Sequence, residues 1–496
     1  MPSQKKRLGE LLIEKGILSP EQLEYALRYQ QRGNKFLGQI LIAAGLTSEA
    51  EVYKALSELL HVEFVNLEQA SIHKHIAELV PKLLVVTRDI LPLHVEDNYL
   101  YLVMENPRDF DVIQIIEFST HRQVKPLIAT PSQLQRTIHQ VYGIKISSNV
   151  KHAQPDELEH LGFSEKHLEQ YQHLLQSPQG VIVVTDPSSA ENSKMTTIYA
   201  TLKSLGQDPV KNIVTIEDPI EYELSGIKQI QVHEESGLNF HSILSLLSGH
   251  DPNIQRDPNV IMAEELHDAE TTRIFMRLSE TGHLMLTTLQ TEDTVAAIHH
   301  LSRLGESPQV VASNLLGVLA QRFVRELCVE CKQLYQPDER ELLSLGIQRT
   351  PDTPFFCYRK QGCPTCNYTG YSGYIGLYEL LVMNNRLRHE ITKQPHKHQL
   401  RRLVTSMGVK SLLEDGIEKI RQGITSLDEV IEACCEKCRG CGKFVVGTEQ
   451  RCPFCGFHLY DSCESCGAKL DVEWMMCPFC GTRKPKPLSS AHAKTA

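Results

Sequence analysis

No stretch of this chain approaches the ~18 uncharged apolar residues that a bilayer-spanning helix requires, so no spanning helix is expected. The opening Met1 to Arg7 runs into Leu8, Gly9 and Glu10 rather than into an apolar segment, so no signal peptide is expected either. Positive charge is also short: 61 Asp and Glu against 51 Lys and Arg leave a net −10. That balance argues against a general binder of nucleic acid or anionic membranes. The expected setting is cytoplasmic, with any membrane role peripheral. Cysteine, by contrast, is plentiful, with 15 residues, most of them in Cys-x-x-Cys pairs. In a small secreted chain these would suggest disulfides, whereas in a large cytosolic one they favour zinc. A length of 496 residues implies several domains, each with its own core.

Glycine is missing where it would matter most. Val181 to Val184 reads as a buried strand, followed by a loop and a helix opened by Lys194. In the phosphate-binding pattern G-x-x-x-x-G-K-[ST], the glycines let backbone N–H groups wrap phosphate and the hydroxyl holds Mg²⁺. Counted back from Lys194, the glycine positions fall on Ser188 and Ser193, and the hydroxyl position falls on Met195. Counted forward from the strand, the first glycine becomes Asp186 and the loop is too long. Only the lysine survives, and Lys194, Ser193 and Thr196 are the residues left to contact a nucleotide. An ordinary strand–loop–helix that binds no nucleotide fits this segment equally well.

Other segments carry more information. Val214 to Leu224 contains Glu217, Asp218 and Glu221, and the apolar run Val260 to Ala263 delivers Glu264 and Glu265 to its end. Thr281-Gly282-His283 opens another apolar run, and Gly362 to Leu380 holds Cys363 and Cys366 among glycines and tyrosines. In this order and spacing, these segments resemble the acidic box, Walker B segment, histidine box and zinc segment of the type II secretion and type IV pilus assembly ATPases. The resemblance covers roughly residues 1–432 with one gap. Those proteins are cytoplasmic hexameric motors that convert ATP hydrolysis into pilin extrusion or extraction.

The resemblance implies an α/β fold: a RecA-like P-loop ATPase core with an N-terminal helical and α+β secretion-ATPase domain, a four-cysteine zinc insertion, a helical tail and C-terminal zinc ribbons. It implies that Glu217, Asp218 and Glu221 position Mg²⁺ and the attacking water, that Glu265 is the Walker B glutamate, and that His283 is the retained histidine. The implied cofactors are ATP and Mg²⁺. The implied partners are related ATPase subunits and secretion or pilus machinery at the inner membrane. The departures run in one direction. Glu264 replaces a glycine and His267 an arginine; Ser245 and Gly249 replace two more arginines, and Gln290 replaces the second histidine. Asp251–Arg256 and Asp257–Met262 look like a tandem duplication beside the site.

After Gly143 comes a polar stretch, then Leu158 to Phe163. In the resembling family a whole domain lies between these landmarks, packs on the neighbouring subunit and supplies arginines to its nucleotide. Without those cations, charge on a transferred phosphoryl group has less to stabilise it. A triphosphate with about four negative charges needs oriented N–H groups and cations, and here it would meet acids and a thioether. Weak or absent hydrolysis is therefore expected, in a regulatory or scaffold subunit, with the carboxylates reading equally as catalytic groups or as relics on strand ends. The alternative is an active ATP-hydrolysing motor for pilin assembly or protein secretion.

The amino terminus holds a repeat. Arg7–Gln30 and Phe36–Leu59 are two 24-residue copies with five residues between them, each reading as two short helices broken at Gly16 or Gly45. A helical mini-domain whose Leu and Gly positions serve packing explains this plainly. The copies also resemble the cyclic di-GMP module of some pilus and secretion ATPases. On that reading the ligand residues are Arg7, Leu8, Gly9, Gly16, Leu23, Leu27, Gln30, Leu37, Gly38 and Gly45. The second copy has Phe36 and Leu59 where the arginine and glutamine would stand.

Zinc is expected at three sites. Cys328, Cys331, Cys363 and Cys366 match the family's tetrad, whose thiolates clamp the excursion between the two pairs. Cys438, Cys441, Cys452 and Cys455 are repeated at identical spacing as Cys463, Cys466, Cys477 and Cys480, which resembles a double zinc ribbon. With no basic groove, the ribbons are expected to contact protein rather than nucleic acid. The expected domains are the repeat (1–60), a small α/β part (61–143), a linker (144–157), the ATPase-like domain (158–432) with its zinc segment (328–366) and helical tail (369–432), the ribbons (433–481), and a disordered tail (482–496).

Overall fold

In the computed structural model the described residues are 6–30, 37–70, 72–142, 156–187, 193–208, 210–234, 237–248, 258–304, 306–347, 355–447, 450–463, 469–470, 476 and 482–483. The repeat forms four helices, α1 (Leu8–Glu14), α2 (Pro20–Gln30), α3 (Leu37–Ala43) and α4 (Glu49–Leu60). Ser48 and Glu51 form a reciprocal cap at the start of α4, satisfying backbone N–H groups the helix cannot. Gly16 and Gly45 follow the first helix of each copy at φ of 68° and 65°, a region costly for a side chain bearing Cβ. Leu12, Leu18, Ala26, Ile40, Leu41 and Ala55 make the shared core.

Next come α5 (Lys74–Ala77), α6 (Lys82–Arg88), β1 (Ile90–Glu96), β2 (Tyr99–Met104), α7 (Phe110–Thr120), β3 (Gln123–Ile128) and α8 (Pro131–Val141). The three strands form a sheet in order β1-β2-β3, antiparallel then parallel, as expected of a small α/β part.

The central sheet has seven strands, ordered β12-β9-β4-β8-β7-β5-β6. Its elements follow in chain order: α9 (Glu165–Leu175), β4 (Gly180–Thr185), α10 (Ser193–Gly206), β5 (Ile213–Glu217), β6 (Lys228–Gln231), α11 (Phe240–Leu247), β7 (Val260–Glu265), α12 (Ala269–Glu280) and β8 (Leu284–Leu289). β4, β5 and β8 are buried at every position, as continuous apolar runs covered on both faces should be. β5 pairs in parallel with β6 and β7, and β7 with β8. Parallel pairing with helical crossovers is the α/β architecture read from the sequence.

Beyond β8 lie α13 (Thr294–Arg303), α14 (Pro308–Asn314), β9 (Leu315–Leu327), β10 (Gln333–Tyr335), α15 (Glu339–Ser344), β11 (Cys357–Arg359) and β12 (Tyr371–Val382). β9 and β12 pair antiparallel almost end to end. The segment expected to open a helical tail at 369 is therefore a sheet strand. Its aromatic and branched residues pair across β9, and the helices begin only with α16 (Asn385–Thr392), α17 (Lys397–Ser406), α18 (Leu412–Gln422) and α19 (Leu427–Cys434). The first ribbon follows, with the short strands β13 (Glu436–Lys437) and β14 (Phe444–Val445).

Candidate functional site

Sequence places the candidate nucleotide residues at the ends of buried strands, and the structure gives each a surrounding. The backbone of β4 ends in Thr185, whose hydroxyl donates to Leu289 O at 3.0 Å, and in the buried Asp186. Residues 188–192 lie outside the described set, and the expectations for Ser188 and Glu191 lie there with them. α10 begins at Ser193. Lys194 is half-exposed, whereas Met195 is 3% exposed, so the residue in the Mg²⁺-hydroxyl position belongs to the core. A thioether is a soft donor and no ligand for a hard cation. Thr196 is half-exposed and Thr197 buried on the same helix.

The acidic box is an ordered network. Glu217, at the end of β5, is 0% exposed. Tyr199, five positions after Lys194 on α10, donates its hydroxyl to Glu217 Oε2 and accepts the Glu221 N–H at 2.8 Å. Thr215 and the Gln229 amide donate to Glu217 Oε1, the latter at 3.0 Å. Burial pushes the Glu217 carboxyl above its usual range, and those three donors oppose the shift. The group therefore sits inside the protein, tied at both oxygens.

Asp218 is exposed, and its backbone N–H donates to Glu264 Oε2 at 2.6 Å. Glu264, at the end of β7, is pushed up to about 8, chiefly by burial, with Glu217, Glu221 and Asp218 adding like-charge repulsion against the Asp218 N–H. Glu265, its neighbour, is half-buried. The structure thus brings Glu217, Asp218, Glu221 and Glu264 together. Three residues were missed as site members by motif reading: Tyr199, Gln229 and Glu264. Glu264 left a trace, an acid in a glycine position. Tyr199 and Gln229 left none, because their roles depend on which strands become neighbours.

His283 is not brought to this cluster. It is buried, its Nδ1–H donates to Leu278 O at 2.9 Å, and its own carbonyl accepts the Gly180 N–H at 3.1 Å. It precedes β8 beside Asn259, whereas Glu265 pairs with Thr288 near the far end of that strand. The separation is about five strand residues, on the order of 15 Å. His283 ties β4, α12 and β8 together at the edge opposite the carboxylates.

Two tetrads are assembled. Cys328, Cys331, Cys363 and Cys366 bring four sulfurs within 4.8 Å of one another, with Sγ···Sγ separations of 3.8–3.9 Å. Four thiolates at about 2.3 Å around a tetrahedral Zn²⁺ stand about 3.8 Å apart, so the donor set fits that ion. Backbone N–H groups of Gly362, Cys363 and Gly370 point at these sulfurs at 3.2–3.3 Å, which orients them as donors. Cys438, Cys441, Cys452 and Cys455 form the second group, with separations of 3.7–3.8 Å. Of the third tetrad only Cys463 is described, so Cys466, Cys477 and Cys480 lie outside the described residues.

In the amino-terminal repeat, Gly9 and Gly38 serve close helix crossings. A Cβ on Gly9 would lie 2.4 Å from Leu23, and one on Gly38 would lie 2.7 Å from Val52. Arg7 and Leu27 are exposed, while Leu8, Leu23, Gln30 and Leu37 are half-buried. Among the described residues, no helix is long and apolar enough to cross a membrane.

The sheet order, the strand-end acids and the cysteine tetrad define a secretion-type ATPase core. A family model for the type II/IV secretion system protein matches residues 141–432, and the chain belongs to that family. A second model, the MshEN domain, matches residues 60–148. The chain is 38% identical over 280 residues to type II secretion system protein E of Pseudomonas aeruginosa, spanning 56% of this chain and 53% of that protein. It is 36% identical over 297 residues to the type IV pilus assembly ATPase PilB of Thermus thermophilus, spanning 60% of this chain and 32% of that protein. The chain thus spans about half or less of the length of these relatives. A solved structure of the pilus retraction motor PilT with bound ADP superposes over 59% of this chain and 69% of its own, at 23% identity and a TM-score of 0.41.

Proposed function

We infer that this protein is a secretion or pilus ATPase homologue with an eroded nucleotide site, acting as a regulatory or scaffold subunit of a type II secretion or type IV pilus system. It works in the cytoplasm, peripherally at the inner membrane, beside related ATPase subunits and the machinery they drive. Zinc holds the 328–366 excursion and both ribbons, and the ribbons supply a protein contact.

The observation that carries this reading is Met195. The position after the lysine should offer Mg²⁺ a hydroxyl, and here it is a thioether buried in the core. Glu264 adds a further acid to the cluster at the ends of β5 and β7, which disfavours phosphate. The test is Mg²⁺-dependent phosphate release by the purified full chain. Background turnover is expected, unchanged in Lys194→Ala. Turnover that Lys194→Ala abolishes would overturn the reading and make the protein a working motor.

The repeat supports a sensing role for cyclic di-GMP through its first copy, where Arg7, Gly9 and Gln30 are retained. Calorimetry with cyclic di-GMP should show heat in the native chain and none in Arg7→Ala. Equal heats in both would remove that role.

A further inference from the structure

Lys228, on the edge strand of the central sheet, reaches the amino-terminal α/β part. Lys228 is the first residue of β6, and its ammonium donates to Thr87 O at 2.8 Å and pairs with the Asp89 carboxylate. Thr87 lies in the last turn of α6, and Asp89 is its left-handed C-terminal cap at φ 48°. A cation at that end meets both the unsatisfied carbonyls and the negative pole of the helix dipole. The pair is largely enclosed, with side chains 20% and 14% exposed. α6 also packs on α11, so the contact extends beyond the ion pair.

The next residue, Gln229, points to the opposite face of the strand. Its amide donates to Glu217 Oε1 at 3.0 Å and to Tyr222 O at 2.8 Å, and its oxygen accepts the Leu224 N–H at 2.7 Å. Gln229 pairs with Thr215, which lies on the same face as Glu217. One dipeptide thus carries the domain contact on one face and the acidic box on the other.

We propose that Lys228 is a latch and Gln229 a positioning residue, so that docking of the amino-terminal α/β part, through α6, on β6 sets the placement of Glu217 and of the 222–224 turn. When the latch opens, β6 is an edge strand held on one side only, and Gln229 loses the frame that aims it. A ligand or partner that binds the amino-terminal part would thereby alter the acidic box through β6. The coupling is independent of whether the site hydrolyses ATP.

The test is deuterium exchange of the full-length chain, read by mass spectrometry over residues 83–90 and 222–231. Lys228→Met should raise exchange roughly tenfold in both segments, leaving β9 and β12 at the native rate. Lys228→Arg should restore protection, and the charge swap Asp89→Lys with Lys228→Asp should restore part of it. Gln229→Leu should loosen 222–226 while 83–90 stays protected. If Lys228→Met does not fold, as judged by far-ultraviolet dichroism, Asp89→Asn makes the same test. Faster exchange confined to 83–90, or native exchange at 222–226 in Gln229→Leu, would overturn the proposal.

Discussion

Glu264 ends β7 where Glu217, Asp218 and Glu221 already crowd the same region, and burial holds its proton to about pH 8. Below the ordinary carboxylate pKa of 4.5, folded and unfolded chains both carry that proton. Between about 4.5 and about 8 the unfolded chain releases it and the folded chain keeps it. Stability should therefore fall as pH rises through that window and level off above it. Glu264→Gln keeps an acceptor for the Asp218 N–H and removes the titration. Urea unfolding should find the variant gaining on the native chain, by on the order of 2–3 kcal/mol, between about pH 5 and about pH 9. Parallel pH profiles would show that Glu264 is ionised in the folded chain. Tyr199 is the complementary case. Tyr199→Phe removes the hydroxyl that bridges Glu217 and the Glu221 N–H, leaving a buried acid short of a donor, at a cost of about 1–3 kcal/mol.

Among elements, the tetrad around Cys328 and the packing of α18 show how the chain holds its non-sheet parts. Among the described residues, the excursion between Cys331 and Cys363 starts and ends at the two knuckles, pairs β10 with β11, and packs Leu345 and Cys357 against the core of α18 and α19. Replacing Cys328 and Cys331 by Ser should remove one zinc per chain in elemental analysis and loosen that excursion to protease, while the ribbons keep theirs. An unchanged zinc content would rule the site out as a metal centre. On α18, Gly416 faces Val430 of α19, and a Cβ there would stand 2.5 Å from Val430 Cγ1. Gly416→Ala gains up to about 1 kcal/mol of helix propensity, but overpacking a stiff branched neighbour costs about 1–3 kcal/mol. Net destabilisation is expected in denaturant unfolding, relieved when Val430→Ala is added. These elements also mark how far motif and pattern could reach. β4, β7 and both tetrads were readable because unbroken apolar runs and ligand spacing are local properties of the chain. β12 was read into a helical tail because its pairing with β9 lies more than forty residues away in sequence. That His283 stands away from the carboxylates was not readable, because a motif carries no direction along a strand. Gln229 and Tyr199 stayed silent because register and strand order decide what they touch.

At the scale of the whole molecule, the question is whether a triphosphate finds a site at all. A ligand that binds only the folded state stabilises it by RT ln(1 + [L]/Kd), about 2.7 kcal/mol when its concentration is a hundred times Kd. A working phosphate loop would therefore declare itself in thermal unfolding whether or not hydrolysis follows. Here the helix after the loop offers Lys194 but follows it with a buried Met195, and four acids gather where β5 and β7 end. Binding should then be weak and little helped by the metal. Millimolar ATP with Mg²⁺ should leave the midpoint of unfolding within about 1 °C of the free protein, a shift worth only a few tenths of a kcal/mol for a chain this size. Lys194→Ala should behave the same way with and without nucleotide. A rise of several degrees that needs both Mg²⁺ and Lys194 would mean that the loop still grips phosphate, and the scaffold reading would give way to that of a motor.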